Sequence, residues 1–163
     1  MKPIVLVGGG ENHFRLIQRL SEMEQSLKPI ILVSKKQKVF SQKRVPEVLN
    51  GELNVSECYM DLWSACQRTG VYFLNDECIN INREENIVYL KQYGKLEYSL
   101  LSLETQCKPF VTGLKTERSP SLISYKDSVL FIEQIRAFLD EVNKHCPKEI
   151  RVVIYGVTQL SLH

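Results

Sequence analysis

One stretch constrains the fold more than any other. Pro3-Ile-Val-Leu-Val7 runs into Gly8-Gly9-Gly10, and a second apolar run follows at Pro29-Ile-Ile-Leu-Val33. A short β-branched run that ends in glycines reads as a buried parallel strand. Between the two runs, Phe14, Ile17, Leu20, Met23 and Leu27 recur at three- and four-residue steps. That spacing places them on one face of a helix. Strand, glycine turn, helix and strand within about 30 residues make a βαβ unit with a right-handed crossover.

Such a turn has a chemistry of its own. The start of a helix presents unpaired N–H groups and the positive end of the helix dipole, which together attract a phosphate. In the G-x-G-x-x-G pattern the first glycine permits the tight turn and the second lets the backbone approach a pyrophosphate. The third lets helix and strand pack closely. Gly8 and Gly10 fill the first two positions, and His13 holds the third, where it adds bulk or shifts the helix. Gly8, Gly9, Gly10, Glu11, Asn12 and His13 are therefore the candidate phosphate-side residues. The alternative is a βαβ unit whose glycines serve only the turn.

A dinucleotide site usually has an acidic residue at the end of the second strand, to bond the adenosine ribose. Here Ser34 stands there, followed by Lys35 and Lys36. A serine hydroxyl bonds a ribose more weakly than a carboxylate does. The two lysines would instead suit a 2′-phosphate, or they are ordinary exposed lysines after a strand.

Beyond residue 60 the pattern changes. Asp61 to Thr69 reads as a short helix closed by Gly70. Residues 71–74, 77–81 and 86–90 read as a strand and an antiparallel hairpin that turns at Arg83-Glu-Glu-Asn86. Gly94 marks another turn, and Tyr98 to Leu103 reads as a further buried strand. Pro109, Gly113 and Pro120 place a loop or crossover over residues 108–126. Asp127 or Ser128 then caps a helix with Phe131, Ile132, Ile135, Phe138, Leu139 and Val142 on one side, and Pro147 stops it. Residues 150–155 read as a last strand that ends in Gly156. The fold class is α/β: a Rossmann-like three-layer parallel sheet with an antiparallel hairpin or meander. Residues 1–110 form its first domain. Residues 111–163 supply a crossover, an amphipathic helix and the first strand of a second domain.

The totals narrow the function classes. A net charge of +2 over 163 residues is too small for a nucleic-acid partner. The one dense basic run, Lys35-Lys36-Gln37-Lys38, reads as a solvated loop. No run reaches the roughly 18 apolar residues of a membrane span, and the N-terminal run is too short for a signal peptide. A cytoplasmic location and no integral membrane segment are the expectations. Five cysteines without a C-x-x-C pair fit reduced, mostly buried thiols rather than a dithiol centre, and no histidine pairs with them at zinc spacing.

Four stretches carry a family likeness: "KPIVLVGGGENH", "ILVS", "VPEVLNGEL…YMDLWSACQRTGVYFLNDECININREENIVYL" and "LEYSLLSLETQCKP". In this order they resemble the FAD-binding N-terminal part of the pyridine nucleotide-disulfide oxidoreductase superfamily. The likeness is greatest to the NADH-dehydrogenase-like domain fused to selenide, water dikinase. That group also tends to carry histidine at the third glycine position. The resemblance implies FAD as cofactor, with its ADP moiety on the Gly8–Gly10 turn and Ser34 and Lys35 near the adenosine ribose. It also implies the backbone of Cys78 near the adenine and Thr105 by the turn that approaches the flavin pyrophosphate.

The chain departs from that family at three places. Phe40-Ser41 is followed by Gln42-Lys43-Arg44 instead of small residues, and the family's Thr-Gly pair is Thr105-Gln106. The sequence also ends shortly after Gly156, before a nicotinamide site facing a flavin could be built. Hydride transfer by this chain alone is therefore not expected. Three readings stay open. The chain is the FAD-binding part of a larger oxidoreductase, a degenerate module that serves in binding or protein interaction, or a small flavoprotein that uses a partner chain. An incomplete sheet leaves apolar surface or a strand edge uncovered, so a homodimer, a partner chain or a sticky monomer is expected. Trp63 reads as a packing residue of its short helix, and Cys107 as a small inert thiol.

Overall fold

The computed structural model describes residues 1–20, 28–104 and 128–145. Met23, Leu27, Thr105, Cys107, Cys146, the 108–126 loop and the 150–155 strand lie outside them. The described residues fall in two compact units. One lies within Met1–Ser41 and Tyr59–Cys107, the other within Gln42–Cys58 and Lys108–His163.

The first unit is built on the βαβ motif. Strand β1 (Ile4–Val7) leads through the glycines into helix α1 (Glu11–Leu20), and β2 (Ile30–Val33) follows. Strand β3 (Lys38–Phe40) comes next in this unit. Then come β4 (Tyr59–Asp61), helix α3 (Leu62–Thr69), β5 (Tyr72–Leu74), β6 (Cys78–Asn82), β7 (Ile87–Leu90), β8 (Gly94–Glu97) and β9 (Leu100–Leu103). The central sheet is parallel with order β5-β2-β1-β9. Ile4 stands level with Ile30 on one side and with Leu100 on the other.

Alternation along the strands assigns the two faces. Leu6 and Leu32 point to one face and pack with Ile17 of α1 and Leu62, Ala65 and Cys66 of α3. Val5 and Val33 point to the other and pack with Val88 and Leu90 of the antiparallel β6-β7-β8 meander and with Tyr98, just after β8. Helices, sheet and meander are the three layers that the strand and helix periodicities imply.

Helix α3 is closed at both ends by its own sequence. The Asp61 side chain accepts the Ser64 N–H at 2.9 Å, and Gly70 takes the left-handed conformation at φ +71°. The Ser64 backbone N–H is the main reason the Asp61 carboxyl lies below its ordinary range. Trp63 does not pack as expected: it is 47% exposed. Leu62, Ala65 and Cys66 form the buried stripe at three- and four-residue spacing, and Trp63 sits about 100° around the helix from Leu62.

The turn expected at Gly94 covers residues 91–93, and Gly94 closes it at φ +77° and opens β8, so the antiparallel part is a three-stranded meander. The last strand of the sheet starts at Leu100, and Leu100 and Leu103 are half-exposed because, among the described residues, β9 pairs only with β1. The short β3-β4 ladder, with Phe40 edge-on to Tyr59 at 5.4 Å, was not expected from the sequence.

In the second unit, helix α2 (Val45–Leu49) follows a 3-10 turn at Gln42–Arg44, with Pro46 in its first turn. The Arg136 guanidinium of helix α4 (Ser128–His145) donates to the Val48 carbonyl at 3.0 Å, which also accepts the Gly51 N–H at 3.2 Å at the end of α2. Along α4, Ile132 is buried and Leu139 is 46% exposed. No helix among the described residues is long and apolar enough to cross a membrane.

Leu32 is fully buried between α1, α3 and the sheet. Leu32→Ala should cost about 3 kcal/mol, read as a lower urea midpoint at unchanged slope.

Candidate nucleotide-binding site

The glycine turn sits where β1 leaves the sheet. The Gly8 N–H still bonds the Val33 carbonyl at 2.9 Å, and the Glu104 N–H bonds the Val7 carbonyl at 2.8 Å. Both neighbours of β1 therefore hold the start of the turn. Gly8 has φ +102°, and a Cβ there would overlap the Glu104 carbonyl. Glycine is required at this position on both counts. A Cβ on Gly9 would collide with the side chains of Leu62 and Ser34, and one on Gly10 with the Glu104 carboxyl.

His13 resolves the missing third glycine. It is 4% exposed, with Nδ1 2.7 Å from the Gly8 carbonyl and Nε2 2.8 Å from the Ser102 hydroxyl. A carbonyl has no proton to give, so Nδ1 donates; in the neutral ring Nε2 then accepts from Ser102. The imidazole thus joins the turn to β9 by hydrogen bonds where a glycine would only allow close approach.

The start of α1 holds a residue that motif reasoning missed. Glu104, one residue beyond β9, reaches back across the turn. Its two carboxylate oxygens accept the N–H groups of Asn12 and His13, each at 2.9 Å. The side chain is 15% exposed, and its Oε2 lies 3.6 Å from His13 Nδ1. A carboxylate here meets the open donors and the positive helix end together. The only sequence signal was an acidic residue ending an apolar strand; no local motif links it to residues about 90 positions earlier.

The ribose-side candidates are also engaged. The Ser34 hydroxyl donates to the Lys36 carbonyl at 3.0 Å and is buried. The Lys35 ammonium pairs with Glu77. The Asn75 amide donates to the Ser34 and Lys35 carbonyls at 3.1 and 3.0 Å. Glu11 accepts from the Ser41 hydroxyl at 2.9 Å and from Arg15 at 3.0 Å.

Cys78 begins β6 and packs against the Val5 and Val33 side of the sheet. It lines an open groove of about 680 Å³ with Ile79, Arg83, Tyr98, Leu100 and Leu103, and no residue of the 8–13 turn lines that groove. Burial raises the Cys78 thiol, which donates to the Asn80 carbonyl at 3.7 Å, and pushes the Cys66 thiol to about 11. Thiols so placed stay protonated at neutral pH and are poor nucleophiles. Thr105 lies outside the described residues.

Asp76 fixes the approach to Cys78. Its carboxylate accepts the N–H groups of Glu77 at 2.7 Å, Gln92 at 3.0 Å and Tyr93 at 2.9 Å. Burial opposes its ionisation, yet the backbone N–H groups of Tyr93, Glu77, Gln92 and Lys91 outweigh it and hold the carboxyl below its usual range.

The architecture matches solved structures of much longer proteins. The sulfide:quinone oxidoreductase of Aquifex aeolicus superposes with a TM-score of 0.67 at 20% identity, over 88% of this chain and 33% of that one. Reduced CoADR-RHD of Bacillus anthracis gives 0.62 at 22% identity, over 87% and 27%. NDH2 of Plasmodium falciparum in complex with NADH gives 0.57 at 18% identity, over 92% and 31%. The chain has the fold of the pyridine nucleotide-disulfide oxidoreductases. It spans a third or less of the length of these three proteins. No protein-family model and no curated protein matches the sequence.

Two outcomes follow for the site. His13→Ala leaves the Gly8 carbonyl without its imidazole donor and should cost about 1–3 kcal/mol in denaturant unfolding. Asp76→Asn should melt lower than the parent at pH 7. Because the folded carboxyl is held below its unfolded value, its stabilisation is present above about pH 4 and lost below, so the gap should shrink in acid. A gap that widens as the pH falls would contradict this account of Asp76.

Proposed function

We propose that this chain is the dinucleotide-binding part of an NADH-dehydrogenase-like flavin oxidoreductase, with FAD as its cofactor. The observation that carries the reading is the pair of N–H groups, Asn12 and His13, that converge on one anionic group beyond the Gly8–Gly10 turn. A pyrophosphate asks for the same two features, converging donors and a turn without side chains. In this reading Gly8 to His13 face the pyrophosphate, and Ser34 and Lys35 stand near the adenosine ribose. The Cys78 backbone lies toward the adenine and Thr105 toward the flavin pyrophosphate.

The backbone of the turn fits the cofactor. The side chains as described do not leave it open, because Glu104 takes the donors and the Ser34 hydroxyl and Lys35 ammonium are engaged. That observation favours a second reading, a non-catalytic Rossmann-like module that acts in binding or protein interaction. In the first reading residues 1–110 are the FAD domain and residues 111–163 begin an NAD(P)-binding domain. Hydride transfer then needs further sequence, a second copy or a partner chain. A cytoplasmic location belongs to the same proposal.

The test is a visible spectrum and a melting curve of the purified chain with FAD, FMN, NADH, NADPH and ATP. FAD at ten times its Kd should add about 1.4 kcal/mol of stability and leave a yellow protein after desalting. A colourless chain whose melting none of the five nucleotides moves would sink the flavin reading and leave the module.

A further inference from the structure

We infer that Glu104 is a built-in competitor for the pyrophosphate of any dinucleotide at the Gly8–Gly10 turn, so that this one carboxylate controls access to the site. The inference rests on the reading of the turn as a phosphate site and deepens it.

The contact is two-pronged: Oε1 takes the Asn12 N–H and Oε2 the His13 N–H, both at 2.9 Å. The carboxyl fills the space that the absent Cβ of Gly10 leaves. Its backbone is fixed by the bond to the Val7 carbonyl, so the side chain is delivered to this point by the register of β9 on β1. A pyrophosphate oxygen would need the same two N–H groups and the same space. The surrounding charge adds to the exclusion. Glu11 begins the helix, while the cations Lys35 and Arg15 are committed to Glu77 and Glu11. With Glu104 in place, an incoming dianion meets two carboxylates and finds the Asn12 and His13 N–H groups taken; with its side chain rotated away, it meets the helix N-terminus. The contact is therefore autoinhibitory, and its release needs no change in the sheet.

The test uses the full chain, the variants Glu104→Ala and Glu104→Gln, and calorimetric titration with ADP, FAD and inorganic pyrophosphate. Glu104→Ala should bind ADP at least tenfold more tightly than the parent. It should melt lower in buffer and recover with millimolar pyrophosphate, which replaces the lost carboxylate. Glu104→Gln, which keeps the bulk and one acceptor without the charge, should fall between the two and serves if the alanine variant does not fold. If the parent binds ADP as tightly as both variants, the inference is overturned and the phosphate site stands. If no variant responds to ADP, FAD or pyrophosphate, the reading of the turn as a phosphate site falls and the inference goes with it.

Discussion

The first turn of α1 exposes backbone N–H groups that the helix itself cannot satisfy. Much of the surrounding structure answers that demand. The Asn12 and His13 donors end on Glu104, which is in reach only because β9 lies parallel to β1 in a fixed register. The same crossing brings the Glu104 carbonyl against Gly8, which is why a side chain is excluded there. His13 then ties the Gly8 carbonyl to Ser102, two residues before Glu104. Turn, helix start and strand end are one joint, and each part presupposes the others.

That joint sits between two apolar layers of different make. On the helical side, Leu6 and Leu32 meet α1 and α3; on the other, Val5 and Val33 meet the meander. Because the strands are buried on both faces, they carry near-continuous apolar runs, and a slip of one residue would exchange the two packings. Packing sets the register, and the register in turn delivers Glu104 and Ser102 to the turn. The polar geometry of the candidate site is thus a consequence of the core.

The βαβ unit was legible because its signals are local: glycines at one strand end and a 3.6-residue apolar period. The cap and closure of α3 were legible for the same reason, from Asp61 and Gly70. The β3-β4 ladder was not, since strands of three residues such as Lys38–Phe40 carry no period to read. Trp63 misled because aromatic character suggests burial while its helical position points off the packed stripe. Within the site, Gly8, Gly10 and His13 could be named from the motif. Glu104 could not, because its role depends on a strand pairing that joins residues about 90 positions apart. The pairing of Lys35 with the distant Glu77 was hidden in the same way, whereas the Ser34 hydroxyl is held by Lys36, only two residues on.

A tethered carboxylate and a free pyrophosphate compete on unequal terms. Glu104 is already part of the fold, so it loses no translational freedom on reaching the N–H groups, whereas a free ligand must lose it. The pyrophosphate brings more charge, which a helix N-terminus rewards, but here it would gain little help from cations already paired with Glu11 and Glu77. A glycine-rich turn is usually read as evidence of a ligand. In this chain Gly8 is also required by the chain itself, through its positive φ and its closeness to β9, while a Cβ on Gly10 would press only on the movable Glu104 carboxyl. The glycines therefore do not by themselves distinguish a site for a dinucleotide from a joint that holds three elements together. What distinguishes them is the ease with which one side chain gives up two hydrogen bonds.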